Sequence, residues 1–507
     1  MEPTINRQAF SVCRCIFEQN FEIPADTEAV LPDYCPDAAR ILKTTATAGV
    51  TSRRFTQNGL EIEGIMHITV IYSDAESSEL HSYEITKSFE QTAEIGDTTG
   101  ELTADTVTAA DRISCRMLTP RKLDIHATIS MGVKVFATEK HETVCSAENL
   151  GLQSKCESES SLEMLYCGEK YINVSDEIEI DPSMKPVRCI IRSELGVLNA
   201  ECRLVGEKAI AKGDVTLGIL YSTDTPMRLE KLETAIPFSQ IIDIPSMDDG
   251  YEPVYSFRIC SYEIRPRTGM DGECHSLAVS VRVGVSLSVS KSSEVRVITD
   301  AYSTLYDLDI GREKTSCRIQ NGTVDDTINC KATVQLPDEA AAVLDVWCEN
   351  DAPIAKTSGG KKILNGSVRV CILLSDGDGN PMYAETTSDY TYECDSIAQN
   401  DELKASVKAE ASGYNITSKN SAEVNLKMHI SGEVYKVREF SFVSSITVNG
   451  EKDKSKTPPL ILCRTDAGEA LWDIARRYST TEDALRSANG ITSDVLEKSV
   501  MLLIPGV

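Results

Sequence analysis

The sequence predicts a mainly β protein: three tandem antiparallel, sandwich-like modules followed by a small βααβ domain. Three observations carry this. A set of landmarks recurs three times in the same order, each recurrence holds long runs of alternating apolar and polar residues, and the last fifty residues change to helical spacing.

The landmarks are a proline turn, a glycine inside a strand-like run, and an aromatic in the next run. They are Leu31-Pro32-Asp33, Gly64 and Phe89; Asp181-Pro182, Gly213 and Phe238; and Leu336-Pro337-Asp338, Gly366 and Tyr390. Proline to glycine is about thirty residues each time, and glycine to aromatic about twenty-five. The period near 150 residues is far longer than a solenoid unit. It describes whole domains descended from one module.

Each module closes on a period-2 strand. Leu123, Ile125, Ala127, Ile129, Met131, Val133 and Val135 alternate with polar residues or glycine, as do the odd positions from Leu277 to Val289, and Val424, Leu426, Met428 and Ile430. Such alternation puts one face on a core and the other in water, as antiparallel sheets allow. Asp376-Gly377-Asp378-Gly379-Asn380 reads as a hairpin turn between strands, and Gly359-Gly360-Lys361-Lys362 as a loop. Short helices are expected over Ile5–Glu18 and Cys156–Leu165. The resulting division is an N-terminal segment 1–22, modules 23–150, 170–310 and 322–448, a polar proline-ended linker 449–459, and a tail domain 460–507.

In the tail, Leu471, Ile474 and Ala475 recur at helical spacing, as do Ala484, Leu485 and Ala488. Asp466 to Glu469 forms a turn into the first helix, Asn489-Gly490 ends the second, and MLLIP supplies the last strand.

Lys and Arg number 51 against 78 Asp and Glu, for a net charge of −27. That balance argues against nucleic acid and anionic membranes as partners. No signal-peptide-like start and no eighteen-residue apolar run is present, so the expectation is no membrane span and a cytoplasmic protein with its 17 cysteines reduced. Chemistry is sparse. The six histidines form no HExxH; His126 and His429 fall on polar strand positions, His67 lies within a strand, and His81, His141 and His275 are expected in loops. No CxxC pair is present, and Cys13-Arg14-Cys15 lacks the neighbours a zinc site needs. Neither a P-loop, nor GxGxxG, nor GxSxG occurs. We therefore expect no enzyme, cofactor or metal. Trp347 and Trp472 are expected in cores.

GEALWDIARRYSTTEDALRSANGI followed by LLIP resembles the LysM domain, a peptidoglycan- and chitin-binding module. The resemblance implies a shallow glycan groove with Gly468, Glu469, Ala470 and Leu471 on one side and Asn489, Gly490 and Ile491 on the other. The family's first-strand aromatic and Val fall on Cys463 and Thr465, its Asp-Thr on Glu469-Ala470, and its late Pro-Gly on Lys498-Ser499. Loss of an aromatic and a hydroxyl weakens a sugar site and favours protein docking. The PADTEAVLPDYCPDAARIL stretch, the three glycine-bearing strands and the LysM tail together are similar to clostridial spore-coat morphogenetic proteins with repeated SPOCS domains, the SpoIVA-interacting protein L type. That resemblance implies a scaffold in the mother-cell cytoplasm that recruits the coat morphogenetic ATPase of the basement layer, with other coat proteins, to the forespore surface. The alternative is a cell-wall protein that binds peptidoglycan-type glycan.

Overall fold

The computed structural model describes residues 4–96, 100–225, 228–270, 272–394, 397–453 and 460–505. Most of the expected linker, 454–459, lies outside the described residues.

The first module holds β1 (Thr4–Pro24), β2 (Thr27–Val30), β3 (Ala38–Thr56), β4 (Gly59–Asp74), β5 (Leu80–Ala93), β6 (Glu101–Thr119) and β7 (Lys122–Glu148). Strands β3-β4-β5 form one antiparallel sheet; β7 pairs with β1, β2 and β6 in the other. The second module repeats this with β8 (Leu152–Glu179), β9 (Cys189–Val205), β10 (Lys208–Ser222), β11 (Leu229–Asp243), β12 (Glu252–Thr268) and β13 (Cys274–Ser303), as sheets β9-β10-β11 and β8-β13-β12. The third has β14 (Tyr306–Gln335), β15 (Ala340–Asn350), β16 (Ile354–Ser358), β17 (Lys361–Asp376), β18 (Pro381–Cys394), β19 (Glu402–Ser418) and β20 (Ser421–Glu451). Its β17 pairs with β15, β16 and β18, and β20 with β14 and β19. The strand that is continuous as β9 is split here into β15 and β16 around Pro353, whose missing N–H cannot extend the ladder.

In each module the two sheets close on one core. The alternating residues from Leu123 to Val135, Leu277 to Val289 and Val424 to Ile430 form its inner face, all nearly inaccessible. The landmark glycines explain themselves here. Gly64, Gly213 and Gly366 sit directly across the ladder from Phe89, Phe238 and Tyr390, and each ring covers the backbone where a Cβ would stand. The recurrent glycine-to-aromatic spacing is the length of one hairpin. The proline turns are held in the same way: buried Tyr72 donates its hydroxyl to Pro36 O (3.3 Å) and the equivalent Tyr221 to Lys185 O (3.1 Å).

Both expected helices are overturned. Ile5–Glu18 lies in β1, paired along its length with β7, and Cys156–Leu165 lies in β8, paired with β13. Residues with no strong local preference take the conformation that a neighbouring strand offers. The pairing also carries β8 through residue 170 and β14 through 310 and 322. His81, His141 and His275 fall in strands β5, β7 and β13 rather than loops. The 376–380 segment is the expected hairpin turn, with Asp376 Oδ1 accepting from the Asp378 and Asn380 N–H groups. No disulfide links the described cysteines, and only Cys15 and Cys145 among them are exposed.

Each module touches the other two, so the three form a closed triangle. One junction gathers Leu42, Ile71 and Leu80 of the first module, Ile191 and Leu220 of the second, and Trp347, Cys371 and Leu373 of the third. Trp347 is therefore buried as expected, but between modules rather than inside one. A second junction, formed by the protruding halves of the long strands, packs Phe10 and Val12 with Val295, Val297, Cys317, Phe440 and Phe442. Ion pairs stitch the seams: Lys43 to Glu349 (3.3 Å) and Glu385 (2.7 Å), Arg192 to Asp345 (3.1 Å), Lys134 to Glu402 (2.6 Å) and Arg53 to Glu169, with Arg318 (2.7 Å) and Arg258 (3.0 Å) adding a second cation to Glu402 and Glu169 from within the same module. Between the modules lies a half-open cavity of about 1320 Å³, lined by β3, β9 and β15 and by β6, β12 and β19.

Candidate functional site

The tail is βααβ as expected: β21 (Leu460–Arg464), α1 (Leu471–Arg477), α2 (Glu482–Asn489) and β22 (Met501–Pro505), with β21 and β22 antiparallel. Leu471, Ile474, Ala475, Leu485, Leu502 and Ile504 make its core. Thr481 caps α2 by accepting from the Ala484 N–H (3.1 Å). Gly490 ends it at φ 65°, a left-handed conformation that glycine adopts without strain.

The turn on one side of the expected groove is bonded to 494–496, beyond the 489–491 stretch expected on the other side. Gly468 N–H donates to Leu496 O (2.7 Å), Leu496 N–H to Glu469 O (3.0 Å) and Leu471 N–H to Asp494 O (2.8 Å). Ala470 bridges Val495. The turn before α1 and the loop after α2 are thus laced by backbone bonds into one surface. Gly468 and Gly490 are exposed there, and Glu469, Ala470 and Ile491 half-buried. Glu469 is engaged: Oε1 accepts from Arg477 Nη2 (2.9 Å) and Oε2 from Asp466 N–H (3.0 Å), which holds its carboxyl below the usual glutamate range.

Two of the expected contact residues are used internally. Leu471 is fully buried core. Asn489 donates its amide to Leu485 O (2.9 Å) and Leu503 O (2.7 Å) and accepts from Leu503 N–H (2.7 Å), which pins β22 to the end of α2. Sequence reasoning passed over the exposed loop 492–495 that completes the surface. It also passed over the seat of the tail. Trp472 is half-buried against Tyr302 of β13, and its indole N–H donates to Asp300 Oδ2 (2.9 Å). No local pattern links residues so far apart in sequence.

Among the described residues, Asp74, Glu79 and His81 are one trio with metal-ligand geometry. The Asp74 oxygens there already accept from the N–H groups of Glu76, Ser77 and Ser78 and from the Ser77 hydroxyl, as a hairpin turn requires.

Compared with known families, residues 37–118 and 186–264 match the SipL SPOCS domain, and residues 466–498 match the LysM domain. The chain carries SPOCS domains and a LysM domain. The SPOCS matches cover β3 to β6 and most of β9 to β12; the third module repeats their topology without itself being matched. No curated protein and no solved structure matches the chain. The domain content is that of a sporulation coat-related protein with a LysM module, built from binding and scaffold families. No helix among the described residues is long and apolar enough to cross a membrane.

Proposed function

We propose that this protein is a spore-coat morphogenetic scaffold that acts at the forespore surface, on its mother-cell side, and recruits the ATPase of the coat basement layer through its LysM tail. The SPOCS and LysM content supports the coat setting. The observation that carries the choice of a protein partner is the groove itself. The side that would present a free acidic side chain and a hydroxyl to a sugar has Glu469 locked to Arg477 and an alanine at 470. What remains is a laced backbone edge rimmed by the exposed Val495, suited to a polypeptide.

Co-purification with the basement-layer ATPase from sporulating cells tests this. Deleting 460–507 is expected to leave the SPOCS modules folded and to abolish recruitment; normal recruitment by the truncated chain overturns the assignment. The LysM match favours one second reading, a peptidoglycan binder. Strong, saturable retention of the full chain on purified peptidoglycan, lost with the tail, would decide for it.

A further inference from the structure

Trp472 and Arg476 are one helical turn apart on α1 and therefore share a face. Both meet Asp300 of β13: the indole N–H and Arg476 Nη1 each lie 2.9 Å from Oδ2, while Arg312 holds the other carboxylate oxygen. Two residues on, Tyr302 is 6% exposed and packs within the tail's own core. Its ring meets Trp472 edge-on at 4.9 Å, and its hydroxyl donates to Thr480 O (2.8 Å). Lys452 closes the contact by donating to both Ser303 O (2.8 Å) and Ser479 Oγ (2.6 Å).

We infer that this face of α1 is an internal docking surface whose partner is the end of β13 in the same chain, and that the docking fixes the direction in which the tail's groove faces. The second half rests on the recruitment role proposed above. Three features argue for a stable seat. Buried Tyr302 packs against half-buried Trp472, the Asp300 carboxylate has donors on both oxygens, and the bonds to it are charge-assisted, the stronger kind. A short tether also holds the tail near β13 at roughly millimolar effective concentration, so a contact of moderate intrinsic strength is made most of the time. The groove turn 466–471 runs straight into α1, so seating α1 orients the groove relative to the whole triangle. A partner taken by the groove then meets the SPOCS modules at one set angle.

The test uses the full chain with Asp300→Asn and, separately, Arg476→Ala. Trp472 and Trp347 are its two tryptophans, and neither change touches the site of Trp347. The expected result for each variant is a red shift of tryptophan emission, a larger maximum dimension in small-angle scattering, and unchanged melting of the β modules. Recruitment of the purified basement-layer ATPase is expected to fall several-fold. Unchanged emission and dimension in both variants overturn the docking. A red shift with recruitment at the native level overturns the orienting role. If deleting 460–507 leaves recruitment intact, the recruitment reading has failed, and emission and dimension still decide the docking.

Discussion

Phe89 covers Gly64 so closely that a Cβ on that glycine would stand 2.0 Å from the ring, and the contact at Gly213 under Phe238 is looser, at 2.9 Å. Neither glycine has a positive φ, so the demand is for space rather than for backbone freedom. Gly64→Ala is expected to destabilise the first module by about 1–3 kcal/mol, as overpacking does, and Gly213→Ala by less. Denaturant unfolding of the two variants side by side checks the order; equal midpoints would refute it. These glycines were legible in the sequence as spacing, and pairing across one hairpin is what the spacing meant. Asp300 and Tyr302 were not legible, because what makes them important is a domain about 160 residues further on.

Among the elements, β22 is tied to α2 by a single side chain. Asn489 supplies three hydrogen bonds to main chain, two of them to Leu503 within the strand. Asn489→Ala leaves those groups without their partner and is expected to cost the tail about 1–3 kcal/mol. Hydrogen exchange should report faster exchange in 501–505 and no change in β3 to β5. Loss confined to ligand or partner binding, with exchange unaltered, would return Asn489 to the contact surface. The tail's βααβ order and the closing strands of all three modules could be read from periodicity, since each of those segments carries its face in its own sequence. Segments 5–18 and 156–165 could not. In the first, Phe10 and Val12 are buried against strands from other modules, a contact that no local spacing shows.

For the whole molecule, the seams between modules set the response to acid. Burial pushes the Glu402 carboxyl up, but hydrogen bonds from Lys134 and Arg318 outweigh it and leave the group below the ordinary glutamate range. Glu385 is held down likewise, against burial, by Lys43 and Tyr383, and Asp300 by Trp472 and Arg312. A carboxyl depressed in the folded state contributes stability that is present above its unfolded pKa and is lost as pH falls through the folded one. The triangle and the tail's seat should therefore hold at neutral pH and loosen from about pH 4 downward. Small-angle scattering and near-ultraviolet circular dichroism between pH 6 and pH 3 check this; expansion preceding the loss of strand signal is expected, and simultaneous loss of both argues against seams as the weak point. None of these pairs could be picked out beforehand. In a chain with 78 acidic residues any basic side chain finds a carboxylate nearby in sequence, so the pairs that bridge modules give no signal of their own.

Three equivalent sandwiches closing on one another is the geometry that separate subunits reach by trimerising, at the cost of falling apart when dilute. Here the turns at 149–151 and 304–305 join the three covalently. A single molecule therefore arrives at its site of action already complete, whatever its abundance, and the first copies made in a cell are as fully assembled as the last.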